Sequence, residues 1–234
     1  MKVSIGLLAY NEERTISHTI QHILKQDVFK ATDFTVEFLI IANGCTDRTV
    51  SVVEDIIAKG SDVAKNMRVE NLTMAGKSNA WNIYVHQASW KDADYLVLVD
   101  ADIELNDRRS ISKIVQQLVG TPDASVSTDI PRKDIEKKEK KNIFDKFSLL
   151  LSKVDNQKNK AITGQLYCIR GEKARQIYLP LGLPVEDGYL AAVIQTDNFT
   201  QQAGVSKITV AESVSHYFQG LTSPIELIKH EKRL

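Results

Sequence analysis

The run Tyr95-Leu96-Val97-Leu98-Val99 leads straight into Asp100-Ala101-Asp102, and no other stretch limits the fold of this chain so tightly. A run so short and so apolar predicts a central strand of a parallel sheet, buried on both faces. Its end would carry two carboxylates to the carboxyl edge, where open α/β sheets bind ligands. Two carboxylates so close together repel. A hard divalent ion, completed by phosphate oxygens, would relieve them. The competing reading is an acidic helix start, because Asn106 and Asp107 could cap the helix that follows.

The residues before this junction read as repeated strand–turn–helix units. Val3 to Ala9 predicts a buried strand, followed by a helix to about Gln26. Asn11 suits its N-cap, and Glu12 and Glu13 suit the positive end of its dipole. Ile16, Ile20, Ile23 and Leu24 repeat at helical spacing and form its buried stripe. His18 and His22, one turn apart, could hold a metal, but the sequence offers no third ligand, so they read as an ordinary polar face. Val36 to Ala42 predicts a second strand, and Gly44 permits the tight turn after it. Thr46 or Asp47 can cap the next helix, which points Val50, Val53, Ile56 and Ile57 inward. Two such units imply a parallel sheet with right-handed crossovers. Met67 to Glu70 is a weaker third strand. Gly76-Lys77-Ser78 echoes the end of a P-loop, but the first glycine of that pattern is replaced by Asn71. A lysine opening a helix still suits a phosphate or a base.

Beyond the junction, Arg108 to Val119 reads as a helix and Ala124 to Thr128 as a strand. Pro131 to Lys141 is dense in charge and reads as a solvated loop and helix start, or as a mobile loop facing an acidic acceptor or anionic lipid. Phe144, Phe147, Leu150 and Leu151 form an apolar helical face, turned to the core or to a membrane surface. Thr163 to Gly171 predicts a strand, and Glu186-Asp187 places a second carboxylate pair at a helix start. Lys207 to Ala211 reads as a late strand, His216 as a core histidine among aromatics, and Ser223-Pro224 as the start of a last helix.

The 234 residues suffice for one large α/β domain with a sizeable core. Thirty basic and thirty acidic residues cancel, which argues against nucleic acid as a partner. No stretch approaches the roughly 20 apolar residues of a membrane span, and no signal peptide is recognisable. Cys45 and Cys168 are too far apart for a metal motif and read as reduced thiols. A cytoplasmic location follows, with the inner face of the membrane left open. The ending Lys232-Arg233-Leu234 falls inside an amphipathic pattern, as in a shortened C-terminus or a minimal family member.

The motifs in order are Ala9-Tyr10-Asn11-Glu12-Glu13, Ile41-Ala42-Asn43-Gly44-Cys45-Thr46-Asp47, Gly76-Lys77-Ser78-Asn79-Ala80-Trp81-Asn82, Asp100-Ala101-Asp102, Thr163-Gly164-Gln165 and Glu186-Asp187. In that order and spacing the chain resembles the family-2 glycosyltransferases. The resemblance implies a GT-A fold: a single Rossmann-like α/β domain over 1–234, its mostly parallel sheet flanked by helices. Residues 1–105 would form the nucleotide-sugar half and 106–234 the acceptor half. It implies a nucleotide-sugar donor, a Mn²⁺ or Mg²⁺ ion, and a glycan, lipid-linked or small-molecule acceptor. Carried over, Ala9, Tyr10 and Glu12 would line the nucleoside pocket. Asn43, where relatives often carry Asp, would meet the base, and Lys77 the base or diphosphate. Asp100 would reach the ribose or the metal, with Ala101 between it and the metal ligand Asp102. Gly164 and Gln165 would face the acceptor, and Asp187, beside Glu186, would be the general base. His216 falls where some GT-A enzymes place a further metal ligand. The reaction implied is inverting transfer to an acceptor hydroxyl, with Pro131 to Lys141 as a candidate lid. A non-catalytic relative and a sugar-nucleotide pyrophosphorylase are the rival readings.

Overall fold

The computed structural model describes residues 1–60, 67–138, 162–203 and 206–219. The apolar runs of the first half pair as a parallel block: β1 (Lys2–Ala9), β2 (Thr35–Asn43), β3 (Met67–Leu72) and β4 (Tyr95–Asp100). The second half adds β5 (Glu104–Leu105), β6 (Val126–Lys133), β7 (Leu166–Arg170) and β8 (Ile208–Phe218). The eight strands form one sheet in the order β3-β2-β1-β4-β7-β6-β8-β5. Strand β7 runs antiparallel to both β4 and β6, so the parallel character is concentrated before β4 and the sheet is mixed beyond it. The helices are α1 (Ile16–Leu24), α2 (Thr49–Lys59), α3 (Lys77–Ile83), α4 (Ser110–Val119), the single turn α5 (Gly171–Ala174) and α6 (Glu186–Gln195). A π turn, Tyr84–Ala88, prolongs α3.

Side-chain alternation along β4 assigns the two faces of the core. Tyr95, Val97 and Val99 pack with Ile16, Ile20 and Ile23 of α1 and Ile111 and Ile114 of α4. Leu96 and Leu98 point the other way, to Trp81 and Tyr84 of the α3 segment and Leu190 of α6. A strand covered on both faces must be apolar throughout, as this one is. Each large side chain so buried contributes roughly 1.5–3 kcal/mol. The buried apolar run ends at Val99, and the last residue of β4 is the carboxylate Asp100.

Several local expectations are corrected. Asn11 does not cap α1: its φ is +56°, and the helix begins five residues on, at Ile16. Its Oδ1 instead accepts from the Thr46 N–H at 2.8 Å and the Asp47 N–H at 3.4 Å, tying the first crossover loop to the second. Asp47 does serve the start of α2, accepting from the Thr49 N–H at 2.9 Å. Pro131 to Lys133 are not loop but the end of β6, paired with His216 to Phe218, and Asp134–Lys137 is a 3-10 turn that buries Ile135. The length of β8 explains this: the strand expected over Lys207 to Ala211 runs instead over Ile208–Phe218 and carries β6 along with it. The rest of the expected lid, the apolar face Phe144 to Leu151 and the last helix from Ser223 lie outside the described residues.

Tyr84 is fully buried against β1, its hydroxyl donating to Ser4 O at 2.8 Å and lying 3.1 Å from Ser4 Oγ. Tyr84→Phe strands a buried Ser4 oxygen, so a loss of about 1–2 kcal/mol is expected in urea denaturation, with the fold retained. A variant as stable as the parent would show that this bond contributes nothing.

Candidate active site

Strand order reverses at β1, which has β2 on one side and β4 on the other, and ligand crevices of open α/β sheets form at such a reversal. A cleft of about 400 Å³ opens there. It is lined by the β1 end (Leu8, Ala9, Tyr10, Glu12), by Asn43 of β2, by Ala75, Gly76 and Lys77 at the start of α3, and by Asp100, Ala101 and Asp102. Every residue assigned to the donor from sequence therefore borders one cleft. Tyr10 stands at its rim with 54% of its surface exposed, an aromatic face open to stacking. Asn43 is buried, and its Oδ1 has no hydrogen-bond partner among the described residues. Gly44, at φ +65°, lets the β2 loop pass against Ala75: a Cβ there would lie 2.6 Å from the Ala75 nitrogen.

Lys77 organises the floor of the cleft. Its ammonium lies 3.1 Å from Asp100 Oδ2 and 2.9 Å from Glu186 Oε1, and donates to Gly164 O at 3.4 Å. Burial would release its proton, but the two carboxylates outweigh burial and hold the lysine charged. Asp100 shows the reverse balance. Burial pushes its carboxyl up to about 6, Lys77 opposes the rise, and neighbouring Asp102 adds to it. Glu12 is raised as well, chiefly by burial, against a hydrogen bond from Thr15 and with Asp102 contributing.

Asp187 follows Glu186 in the first turn of α6 and lines a small pocket that shares Leu8 and Lys77 with the cleft. Glu186 is occupied by Lys77, whereas Asp187 bonds only to the neighbouring Gly188 N–H, at 2.7 Å, among the contacts of the described residues. Gly164 lies directly under it: at φ +72°, a Cβ on Gly164 would come within 3.1 Å of Asp187 Oδ2. A residue with a side chain would both strain the backbone and displace this carboxylate.

His216 lies deeper. Its Nδ1 is 2.7 Å from Asp129 Oδ2 and its Nε2 is 3.0 Å from Gln165 Oε1, and none of its surface is exposed. Both ring nitrogens are thus engaged within the protein in this arrangement, as the core-histidine reading expects. Asp129 went unnoticed in the sequence. It sits where the β6–β8 register shifts between Thr128 and Ile130, an irregularity that re-aims a strand side chain. Burial raises its carboxyl, with His216 opposing, and its Oδ1 has no partner among the described residues. Gln165 links this network to the cleft, because its carbonyl accepts from the Asp100 N–H at 2.9 Å.

The carboxylates fit a hard divalent cation. Asp102 is exposed at the cleft, and Asp100 is half-buried beside it, so two carboxylates border the same space. Oxygen donors of this kind, with room for phosphate oxygens in the cleft, are what Mg²⁺ or Mn²⁺ require.

A cleft at the switch point of a mixed α/β sheet is where open α/β proteins take a ligand, and comparison with known proteins narrows the class. Residues 4–193 match the family described as glycosyl transferase family 2. The chain belongs to that family. A curated relative, the 4,4'-diaponeurosporenoate glycosyltransferase of Staphylococcus haemolyticus, is 26% identical over 119 residues, which is 49% of this chain and 28% of that protein. Among solved structures, the mannosyltransferase PcManGT of Pyrobaculum calidifontis, in complex with GDP-Man and Mn²⁺, aligns with a TM-score of 0.68 at 18% identity, over 92% of this chain and 56% of that one. S. aureus TarS 1-349 in complex with UDP aligns with a TM-score of 0.64 at 20% identity, over 100% of this chain and 64% of that one. Glucosyl-3-phosphoglycerate synthase of Mycobacterium tuberculosis, with Mn²⁺, UDP and glucosyl-3-phosphoglycerate, gives 0.61 at 19% identity, over 97% and 75%. The chain thus spans little more than a quarter of the curated relative and about half of the mannosyltransferase. These likenesses confirm the fold. Among the described residues, no helix is long and apolar enough to cross a membrane.

The position of Asp100 has a measurable consequence. Its carboxyl titrates at about 6 in the fold against 3.8 ordinarily, so between these values the folded protein holds more proton than the unfolded chain. Its contribution therefore lowers stability as pH rises through that window and is level above it. Without added metal, Asp100→Asn should remove this component, and its melting temperature should fall less, or rise more, than the parent's between about pH 4 and pH 6. Parallel curves for the two proteins would contradict the assignment.

Proposed function

We propose that the chain transfers a sugar from a nucleoside-diphosphate donor to an acceptor hydroxyl with inversion at the anomeric carbon. Residues 1–105 would hold the donor and 106–234 the acceptor. The observation that carries this reading is the placing of Lys77 between two adjoining pockets. Asp100 and Asp102 border the larger cleft, Asp187 lines the small pocket beside it, and Lys77, common to both, bonds Asp100 and Glu186. The glycosyltransferase relative and the Mn²⁺ and nucleotide complexes of the structural neighbours support the same donor class.

Transfer breaks the bond between the anomeric carbon and a phosphate oxygen, and negative charge grows on the departing diphosphate. A divalent ion, when bound, supplies Lewis-acid stabilisation of that charge. Asp102 would hold it, with Asp100 reaching the ion or the ribose. Lys77, kept protonated by its two carboxylates, adds a fixed positive charge close to the same place. Tyr10 offers the base a stacking face, and the unpartnered Asn43 Oδ1 offers an acceptor for a base N–H. The acceptor hydroxyl is too weak an acid to attack unaided, so Asp187 takes its proton as attack proceeds. The role of Glu186 in this reading is to anchor Lys77 and the first turn of α6, so it positions the base and does not act as one. For His216 the reading keeps a structural part, holding Gln165 against Asp129. Gly164 sets the place of Asp187, and Gln165 shapes the floor next to Asp100.

Two variants divide the roles. Asp187→Asn should reduce transfer by at least about 10³-fold while leaving donor affinity near that of the parent, because it removes only the base. Asp102→Ala should instead weaken Mn²⁺-dependent nucleotide binding, read by calorimetry with UDP and GDP in turn. Near-normal turnover by Asp187→Asn, with any donor and acceptor pair that the parent accepts, would remove Asp187 from the mechanism.

A further inference from the structure

The two histidines of α1 gain in the fold the partner they lacked in the sequence. Their ring centroids are 4.5 Å apart, and β5 brings the Glu104 carboxylate against them. One ring nitrogen from each histidine and one Glu104 oxygen all lie within 4.8 Å of one another. We propose that His18, His22 and Glu104 bind one divalent transition ion of the zinc class, at a site distinct from the donor cleft.

The donor set is the first argument. Two imidazoles and one carboxylate suit a borderline ion that keeps a fourth position for water, unlike the all-oxygen set of Asp100 and Asp102. The orientation of His22 is the second. Its Nδ1 lies 3.3 Å from the Leu105 carbonyl, which can only accept, so Nδ1 carries the proton and Nε2 keeps its lone pair. Ligating imidazoles are commonly fixed this way by a backbone carbonyl.

Glu104 has an oxygen to give. Lys137 holds Oε1 at 2.6 Å, which leaves Oε2 for an ion. Lys137, and Lys25 near His22, are the positive charges that such an ion must tolerate. Ligand atoms of a tetrahedral zinc site stand about 3.3 Å apart, so the three groups need to close by no more than about 1.5 Å. His18 is exposed and Glu104 and His22 are only partly buried, so side-chain rotation suffices. Thr19, between the histidines, already donates to the carbonyls of Ala101 at 2.8 Å and Ile103 at 3.0 Å. An ion bound by its neighbours would add a second tie between α1 and the segment that carries Asp102.

The test is Zn²⁺ titration by calorimetry of the untagged full chain carrying Asp102→Ala, which takes the donor carboxylate out of contention. One ion per chain is expected, with Mg²⁺ unable to compete. His18→Ala and Glu104→Gln, each added to that background, should weaken binding by at least about tenfold. Co²⁺ should give the intense visible bands of a tetrahedral site in the background protein and lose them in both variants. The substituted groups are at the surface, so circular dichroism should stay unchanged. No saturable Zn²⁺ uptake, or uptake that neither substitution weakens, would overturn the proposal.

Discussion

One ammonium group shared by two carboxylates is the interaction on which the site depends. Lys77 opens α3, Asp100 ends β4 and Glu186 opens α6, so the triad joins three elements that are distant in sequence. Without the lysine, Asp100 and Glu186 would bring like charges together in partly buried surroundings, where repulsion is poorly screened. With it, the first turn of α6 is held against the sheet edge, and Asp187, next to Glu186, is placed over Gly164. The balance is not complete. Asp100 remains raised to about 6, chiefly because burial outweighs the Lys77 ammonium beside it.

A second chain of contacts supports the first from behind. Where the β6–β8 register shifts, Asp129 meets His216, His216 meets Gln165, and the Gln165 carbonyl holds the Asp100 N–H. From helix α1, Thr19 holds the carbonyls of Ala101 and Ile103. The Asp100-Ala101-Asp102 turn is therefore fixed through its backbone, which leaves the Asp102 side chain free at the surface. Rigid support beneath an exposed ligand group is what a preorganised charge site requires.

The sequence was most legible where burial leaves no choice. Continuous apolar runs named β1, β2 and β4, and their helical neighbours showed their stripes in Ile16, Ile20 and Ile23 and in Val53. The cleft at the carboxyl edge followed from these, because strand ends fix which residues share an edge. Pairings between distant segments were not legible. Nothing near Lys77 in the chain announces Glu186, nothing near His216 announces Asp129, and Glu104 is far in sequence from His18 and His22. Asn11 misled for a related reason. Its chemistry suits a helix cap, but the second crossover loop competes for the same side-chain oxygen and wins. Charge density at Arg132 and Lys133 suggested a loop, whereas pairing with the long β8 keeps both in strand.

Lys77 and Glu186 couple the β4 edge to the helix that carries Asp187. A double-mutant cycle with Lys77→Met and Glu186→Gln, followed by chemical denaturation, measures that coupling without knowledge of the substrates. The side chains are 37% and 18% exposed, which places the pair between a surface and a buried one. A favourable coupling of about 1–2 kcal/mol is predicted. Strictly additive single effects, with a coupling below about 0.3 kcal/mol, would contradict it.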